Sequence, residues 1–442
     1  MYLLLFLLLI PATAVRQTEF SQDSAMTYLK VLAKDIGPRT MGSPGEQRAM
    51  KFAVDKFREF GCQEAYIMPM LIAEGVNTSS GIAIGVLKGR TDRIIILGGH
   101  IDSSDPEVPG ANDDGSGVAC VVEAARVLAK MQHASTIMFC CWGGEERGLQ
   151  GSKYFVKHFA NLDSVALMIQ LDMADGSSHL DIDPDYTFSS APRWLTEAAY
   201  DIFYNKLKFE GLVYPTHTAT LNATIGGAAG SDHNAFLEKG IPAIDFTSDV
   251  TLPVHTPQDN WENFTASGLK RSGDLAVNLV ERFDAGVPSR TTEEHLLVQL
   301  GTTPLFVSYS MLLTLVVISL FTGVVAFVVV RRRRMVVEKG LRVRWNGLKI
   351  MLFTLIVQSC IWQSETLAGM LLGYRFPWVN NFGWYVLLGG LFGFIGFWIV
   401  LQLVQRFRLS PDAYPFAVRS LGTLTFLTLL ALLRSPEVAV YP

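Results

Sequence analysis

The chain has 442 residues, longer than one ordinary domain, with 49% hydrophobic residues and a formal net charge of -4. Lys, Arg, Asp and Glu thin out after about residue 300, which points to a soluble domain followed by a membrane region. The slight acidity excludes a basic face for nucleic acid, and five scattered cysteines, two of them adjacent in an apolar run, exclude a disulfide framework.

Residues 1–14 read as a signal peptide or anchor. Tyr2–Ile10 is apolar but too short to cross a bilayer, and Ala12-Thr13-Ala14 follows Pro11 as a small-residue cleavage pattern. Apolar residues at helical spacing predict helices over Ser24–Ile36 and Pro44–Phe60; Ser43 is the N-cap of the second, Pro44 its first residue and Glu46 its capping-box partner. Strands are expected over Gly81–Leu87, Arg93–Leu97, Thr136–Trp142 and Val165–Leu171, with helices over Ser116–Met131 and Gly151–Phe159 between them. Ala243–Thr247 is also strand-like. This alternation predicts an α/β domain over residues 20–285, a mixed central sheet flanked by helices.

A polar linker is expected over 286–304, and an all-α transmembrane region over 305–434. Its spans fall at 305–330, 350–372 and 382–404; a fourth segment, 418–434, is short for a full crossing because its uncharged run covers only Ser420–Leu433. Arg331 to Arg334, Lys339, Arg342, Arg344 and Lys349 follow the first span, and Arg406 and Arg408 end the third. If the leader exports the soluble domain, these basic groups face the cytoplasm, as the positive-inside rule requires. Gln358, Gln363, Ser364 and Glu365 are polar in the second span and predict contacts with protein, including association through the helices.

The chemistry concentrates at strand ends. His100, the Glu145-Glu146 pair and Asp172 lie just beyond predicted strands, Asp113 lies in the loop Pro109 to Gly117, and His255 lies in a loop beyond Ala243–Thr247. Sites of open α/β sheets sit at carboxyl strand ends, so residues far apart in sequence converge there. Two neighbouring cations need a carboxylate between them, and Asp113, in a loop of Gly and small residues, is the candidate. Glu145 and Glu146 are adjacent, so in extended backbone one would ligate while the other faced the substrate water.

The ordered series His100-x-Asp102, Pro109-Gly110-Ala111-x-Asp113-Asp114-x-Ser116-Gly117, Glu145-Glu146-x-Gly148, Gln170-Leu171-Asp172-Met173, Ser231-Asp232-His233 and His255-Thr256 resembles zinc metallopeptidase family 28, over roughly residues 25–285. The resemblance implies a di-zinc exopeptidase fold and two zinc ions, one held by His100 and Asp172, the other by Glu146 and His255, with Asp113 bridging. It makes Glu145 the general base, places Asp102 behind His100, and implies a cis peptide between Asp113 and Asp114. The activity implied is that of an aminopeptidase acting on peptides on the non-cytoplasmic side, in a bacterial envelope or a secretory or vacuolar lumen. The joined membrane segment resembles the branch containing endoplasmic reticulum metallopeptidase and vacuolar membrane protease. One departure stands out: family members place an oxyanion-stabilising Tyr near the Ser231 segment, whereas Ala223-Thr224-Ile225-Gly226-Gly227-Ala228 contains none, which leaves His233 and Asp232 as candidate substrate or oxyanion contacts. Two other readings remain open here, a glutaminyl cyclase and a non-catalytic receptor-like ectodomain. Filled ligand positions argue against the second.

Overall fold

The computed structural model describes residues 19–71, 79–176, 179–182, 190–213, 230–248, 254–292, 295–335, 345–372, 382–407, 409 and 413–434. The leader, the 223–228 stretch, and Lys339, Arg342, Arg344 and Arg408 lie outside them. The first helix, Gln22–Lys30, is capped by Ser21, whose side chain accepts from Ser24 N, and runs on through Val31–Ile36 until Gly37 turns left-handed at φ 76°. The second, Pro44–Phe60, begins after Ser43, whose side chain accepts from Glu46 N, and ends at left-handed Gly61.

Eight strands form one mixed sheet: β1 (Glu64–Leu71), β2 (Ser79–Leu87), β3 (Ile94–His100), β4 (Thr136–Trp142), β5 (Val165–Asp172), β6 (Leu180–Ile182), β7 (Leu212–Val213) and β8 (Ala243–Ser248), in the order β1-β2-β4-β3-β5-β8-β6-β7. The four central strands, β4, β3, β5 and β8, run parallel, and antiparallel β2 and β6 flank them. Both faces are covered, so the central strands are apolar throughout rather than alternating. Ile95, Leu97, Phe139, Cys141, Leu167 and Ile169 face one layer, where Phe57 stacks on Phe139 at 5.8 Å; this layer contains Gly117–Leu128 and Ser267–Phe283. Ile94, Ile96, Met138, Cys140 and Met168 face the other, where Trp142, Phe155 and Phe236 pack ring on ring beneath helices Gln150–His158 and His233–Leu237. Adjacent Cys140 and Cys141 thus point to opposite layers, and both are free thiols acting as small apolar groups.

The region after residue 285 differs from expectation. A two-stranded hairpin, β9 (His295–Leu300) with β10 (Thr303–Ser308), takes the place of much of the linker, and the first long helix starts at Tyr309 rather than residue 305. Tyr200 Oη donates to Gln299 Oε1 at 3.0 Å and Gln299 Nε2 donates to Leu212 O at 2.9 Å, which docks the hairpin on the α/β domain. An uncharged run such as Leu305–Val307 looks the same in a strand as in a membrane helix, and this pairing decides between them. Helices Tyr309–Met335, Asn346–Leu372, Phe382–Arg406 and Ala413–Arg434 complete the chain. Three of them contain segments long and apolar enough to cross a membrane, Tyr309–Val329, Gly347–Ala368 and Val386–Arg406; in the fourth helix the apolar part is only Ser420–Leu433. Asn346–Leu372 and Phe382–Arg406 approach closely, since a Cβ added at Gly396 would meet Val357 Cα at 2.9 Å.

Candidate metal centre

The parallel strands β3 and β5 deliver His100 and Asp172 as their last residues at the same end of the sheet. His100 Nε2 lies 2.9 Å from Asp113 Oδ1 and 3.6 Å from Asp172 Oδ1. The second oxygen of Asp113, Oδ2, lies 3.0 Å from His255 Nε2, which is itself 3.2 Å from Glu146 Oε2. One carboxylate therefore stands between two imidazoles. In each of two groups the potential ligand atoms lie within 4.8 Å of one another: His100, Asp114 and Asp172 in one, and Asp113, Glu146 and His255 in the other. Asp114 is already engaged, because its Oδ1 accepts from Gly117 N at 2.7 Å and Met173 N at 2.9 Å while Oδ2 accepts from His100 N at 2.9 Å. Asp113, which faces both groups, suits the first better than Asp114 does. The Asp113–Asp114 peptide is cis.

The electrostatics follow from this crowding. Burial disfavours a charged His100, but Asp172, Asp102 and Asp113 more than reverse that and hold its pKa well above the usual imidazole range. Burial pushes Asp113 up, yet His100 and His255 overcome it and hold this carboxyl well below the usual carboxylate range. Burial raises Glu145 well above its ordinary value, and Asp172, Asp232 and Glu146 add to the rise. Burial and then Asp113 raise Glu146 to about 7. Buried Glu146 Oε1 and His255 Nδ1 have no hydrogen-bond partner among the described residues. Converging imidazole nitrogens and carboxylate oxygens, with an orphaned buried oxygen among them, fit one or two divalent cations of the zinc type.

Glu145 and Glu146 are not extended as the sequence suggested. β4 ends at Trp142, and Gly144, left-handed at φ 71°, starts a single 3-10 turn over Glu145–Arg147. That turn sends Glu146 to His255 and leaves Glu145 outside both groups of potential ligands. Asp102 does more than stand behind His100. Its carboxylate accepts from Glu145 N at 3.0 Å and Glu146 N at 3.3 Å, while its Oδ1 is 3.6 Å from His100 Nδ1. It links the histidine to the glutamate turn.

Asp232 and His233 are fully buried, so neither offers surface for a substrate to touch. Gln170 Nε2 lies 3.5 Å from Asp232 Oδ2, and His233 Nδ1 lies 3.8 Å from Asp245 Oδ2.

Three positions carry roles the sequence reading did not assign. Arg39 is fully buried and donates to Ile101 O, Leu32 O, Gly37 O, Pro109 O and Gly110 O, which pins the start of the Asp113 loop. Asp259 accepts from Asn112 N at 2.6 Å and Asp113 N at 3.0 Å, holding the same loop from its other side. Glu46 is fully buried against the glutamate turn. The only signal available beforehand was the polarity of these residues beside quoted motifs, and polarity alone does not separate a surface charge from a buried one.

Residues 83–280 match Peptidase family M28. Aminopeptidase YwaD of Bacillus subtilis is 30% identical over 224 residues, 46% of this chain and 45% of that protein. A probable zinc metalloprotease of Pyrenophora teres f. teres is 31% identical over 209 residues, 40% of this chain and 43% of that protein. The chain thus spans less than half the length of these curated relatives. Among solved structures, BSAP, a zinc aminopeptidase from Bacillus subtilis, superposes with TM-score 0.52 at 18% identity, over 60% of this chain and 96% of that one. The LapA aminopeptidase of Legionella pneumophila gives 0.51 at 22% identity, over 61% and 71%. These superpositions establish a shared fold. Over residues 83–280 this chain is therefore similar to Peptidase family M28.

Proposed function

We propose that this chain is a membrane-anchored zinc exopeptidase, most readily an aminopeptidase, which binds two zinc ions on the non-cytoplasmic side of a membrane. The observation that carries this reading is Asp113, whose two oxygens lie 2.9 Å and 3.0 Å from two different histidines. His100, Asp172 and Asp113 would hold one ion, and Glu146, His255 and Asp113 the other. Bound zinc would supply the positive charge that lowers the pKa of a coordinated water and polarises a peptide carbonyl.

The chain's own residues do the rest. Glu145 stands outside the ligand groups, so its carboxylate is free to take a proton from the attacking water and to return it to the amine nitrogen as the C–N bond breaks. Asp102 holds the Glu145 and Glu146 N–H groups and so keeps that carboxyl aimed. The aminopeptidase names of relatives support cleavage at a free N-terminus. Three apolar helices and the Arg331 to Arg334 run at the end of the first support anchoring with the catalytic domain opposite the basic loop.

The test uses the full chain purified in detergent. Wild type should bind about two zinc ions and release residues from unblocked peptides. Glu145→Gln should keep the zinc and lose turnover by roughly 10²–10⁴-fold. Wild-type turnover in Glu145→Gln, or cyclisation of N-terminal Gln without peptide cleavage, would overturn this reading. Protease protection of the domain in sealed vesicles tests its side of the membrane.

A further inference from the structure

We propose that Glu46 is a positioning residue, which sets the Gly143-Gly144 turn and through it the aim of Glu145. Glu46 sits at the third position of helix Pro44–Phe60, where a capping-box glutamate would bond back to the N-cap N–H. Ser43 N instead donates to Thr40 O at 2.9 Å, and Ser43 Oγ caps the helix without help from the glutamate carboxyl. The carboxyl turns inward and is fully buried. Its Oε2 accepts from Gly42 N at 2.6 Å, its Oε1 pairs with Ser80 Oγ at 2.7 Å, and Gly144 N–H also donates to it.

A side chain serving only a helix end would stay in water, so the desolvation of this one asks for another partner. The glycine turn supplies it. A Cβ added at Gly143 would stand 2.5 Å from Glu46 Oε1, Ser80 Oγ and Gly81 O, and one at Gly144 would stand 2.6 Å from Met41 Cε. The turn is therefore wrapped by Met41, Glu46 and Ser80 on one side. Asp102 takes the next two N–H groups, of Glu145 and Glu146. Three successive N–H groups, from Gly144 to Glu146, end on two buried carboxyls. Burial, then Asp102, pushes the Glu46 pKa up to about 8. A protonated carboxyl can donate to Ser80 Oγ while still accepting from the backbone, so glutamine is its conservative replacement.

This inference rests on Glu145 being the general base. The experiment compares Glu46→Met, Glu46→Gln and Gly143→Ala in the full zinc-loaded chain, reading kcat, KM and zinc affinity by competition with a chelator. Glu46→Met should lower kcat by roughly 10–100-fold with KM and zinc affinity unchanged, because a small misplacement of a catalytic group costs that much. Glu46→Gln should recover most of the loss. Gly143→Ala, whose new Cβ meets the same carboxyl and also Gly81 O, should lower kcat in the same way, and in Glu46→Gln, which keeps the polar contacts, kcat should exceed that of either variant. Unchanged kcat in a folded Glu46→Met or Gly143→Ala, or a kcat loss that tracks zinc loss, overturns the inference. If Glu145→Gln keeps full turnover, the general-base reading fails; if that variant is inactive while Glu46→Met turns over normally, only the positioning role fails.

Discussion

The two halves of the candidate metal centre are built differently. His100 and Asp172 are the terminal residues of central parallel strands, and the His100 side chain is 1% exposed. Glu146 and His255 come from a 3-10 turn and a loop, and the His255 side chain is 30% exposed, its backbone left-handed at φ 54°. Strand ends inherit the rigidity of the sheet, whereas loops depend on whatever hydrogen bonds hold them. The first half is thus preorganised by the sheet, and the second opens to solvent at His255, although its Glu146 side chain, 9% exposed, is no more open than that of Asp172 at 15%. Asp113 ties them together.

Removing that tie should have the largest effect. Asp113→Ala is expected to weaken zinc binding in both halves by more than ~100-fold, beyond the usual cost of losing a supporting partner, with peptidase activity lost as well. Zinc titration checks it, and retention of full affinity in either half would break the comparison. The next effect concerns exchange. Limited chelation should release zinc in two phases, with His255→Ala abolishing the faster phase and His100→Ala the slower. A single phase in wild type would show that the halves do not differ.

Asp259→Asn should cost about 10–100-fold in zinc affinity, since an amide offers one acceptor oxygen where the carboxylate serves the N–H groups of both Asn112 and Asp113. Because the change acts through the bridge, both phases of release should quicken; acceleration of one alone would place Asp259 in a single half. The smallest effect is on stability. Burial holds Glu46 at about 8, above its ordinary 4.5, so the folded chain binds this proton more tightly than the unfolded one. Its contribution is full below pH 4.5 and is lost as pH rises through 8, with a slope of at most ~1.4 kcal/mol per pH unit. Thermal unfolding against pH should be flatter over that window in Glu46→Gln, and an unchanged curve would count against the buried protonated form.

The strands and helices of the α/β region were legible because periodicity reports burial directly. Pro44–Phe60 and Thr136–Trp142 have the boundaries that spacing predicts, and the apolar runs of β3 and β5 mark strands covered on both faces. Edge elements were less legible. β1, with Pro69 inside it, and short β6 and β7 carry weak patterns, and the β9–β10 hairpin is specified by partners such as Tyr200 rather than by its own residues. Within the site, His100, Asp113, Asp172, Glu146 and His255 could be named because they fall in an ordered series of motifs that resembles zinc metallopeptidase family 28. Arg39, Glu46 and Asp259 could not, because their work is done by hydrogen bonds to backbone groups far away in sequence.

By itself the sequence determined the alternating α/β order and the apolar helices beyond it, since each is a local property of composition or period, and its ordered motifs pointed by resemblance to the side chains able to hold metal. Only the tertiary structure decided that Asp113 faces two histidines, that Glu145 lies outside both ligand groups and that Glu46 leaves its helix cap for the interior. Those facts depend on which backbone groups arrive from other elements, because a side chain's orientation is set by the partners that satisfy it and not by its neighbours in the chain.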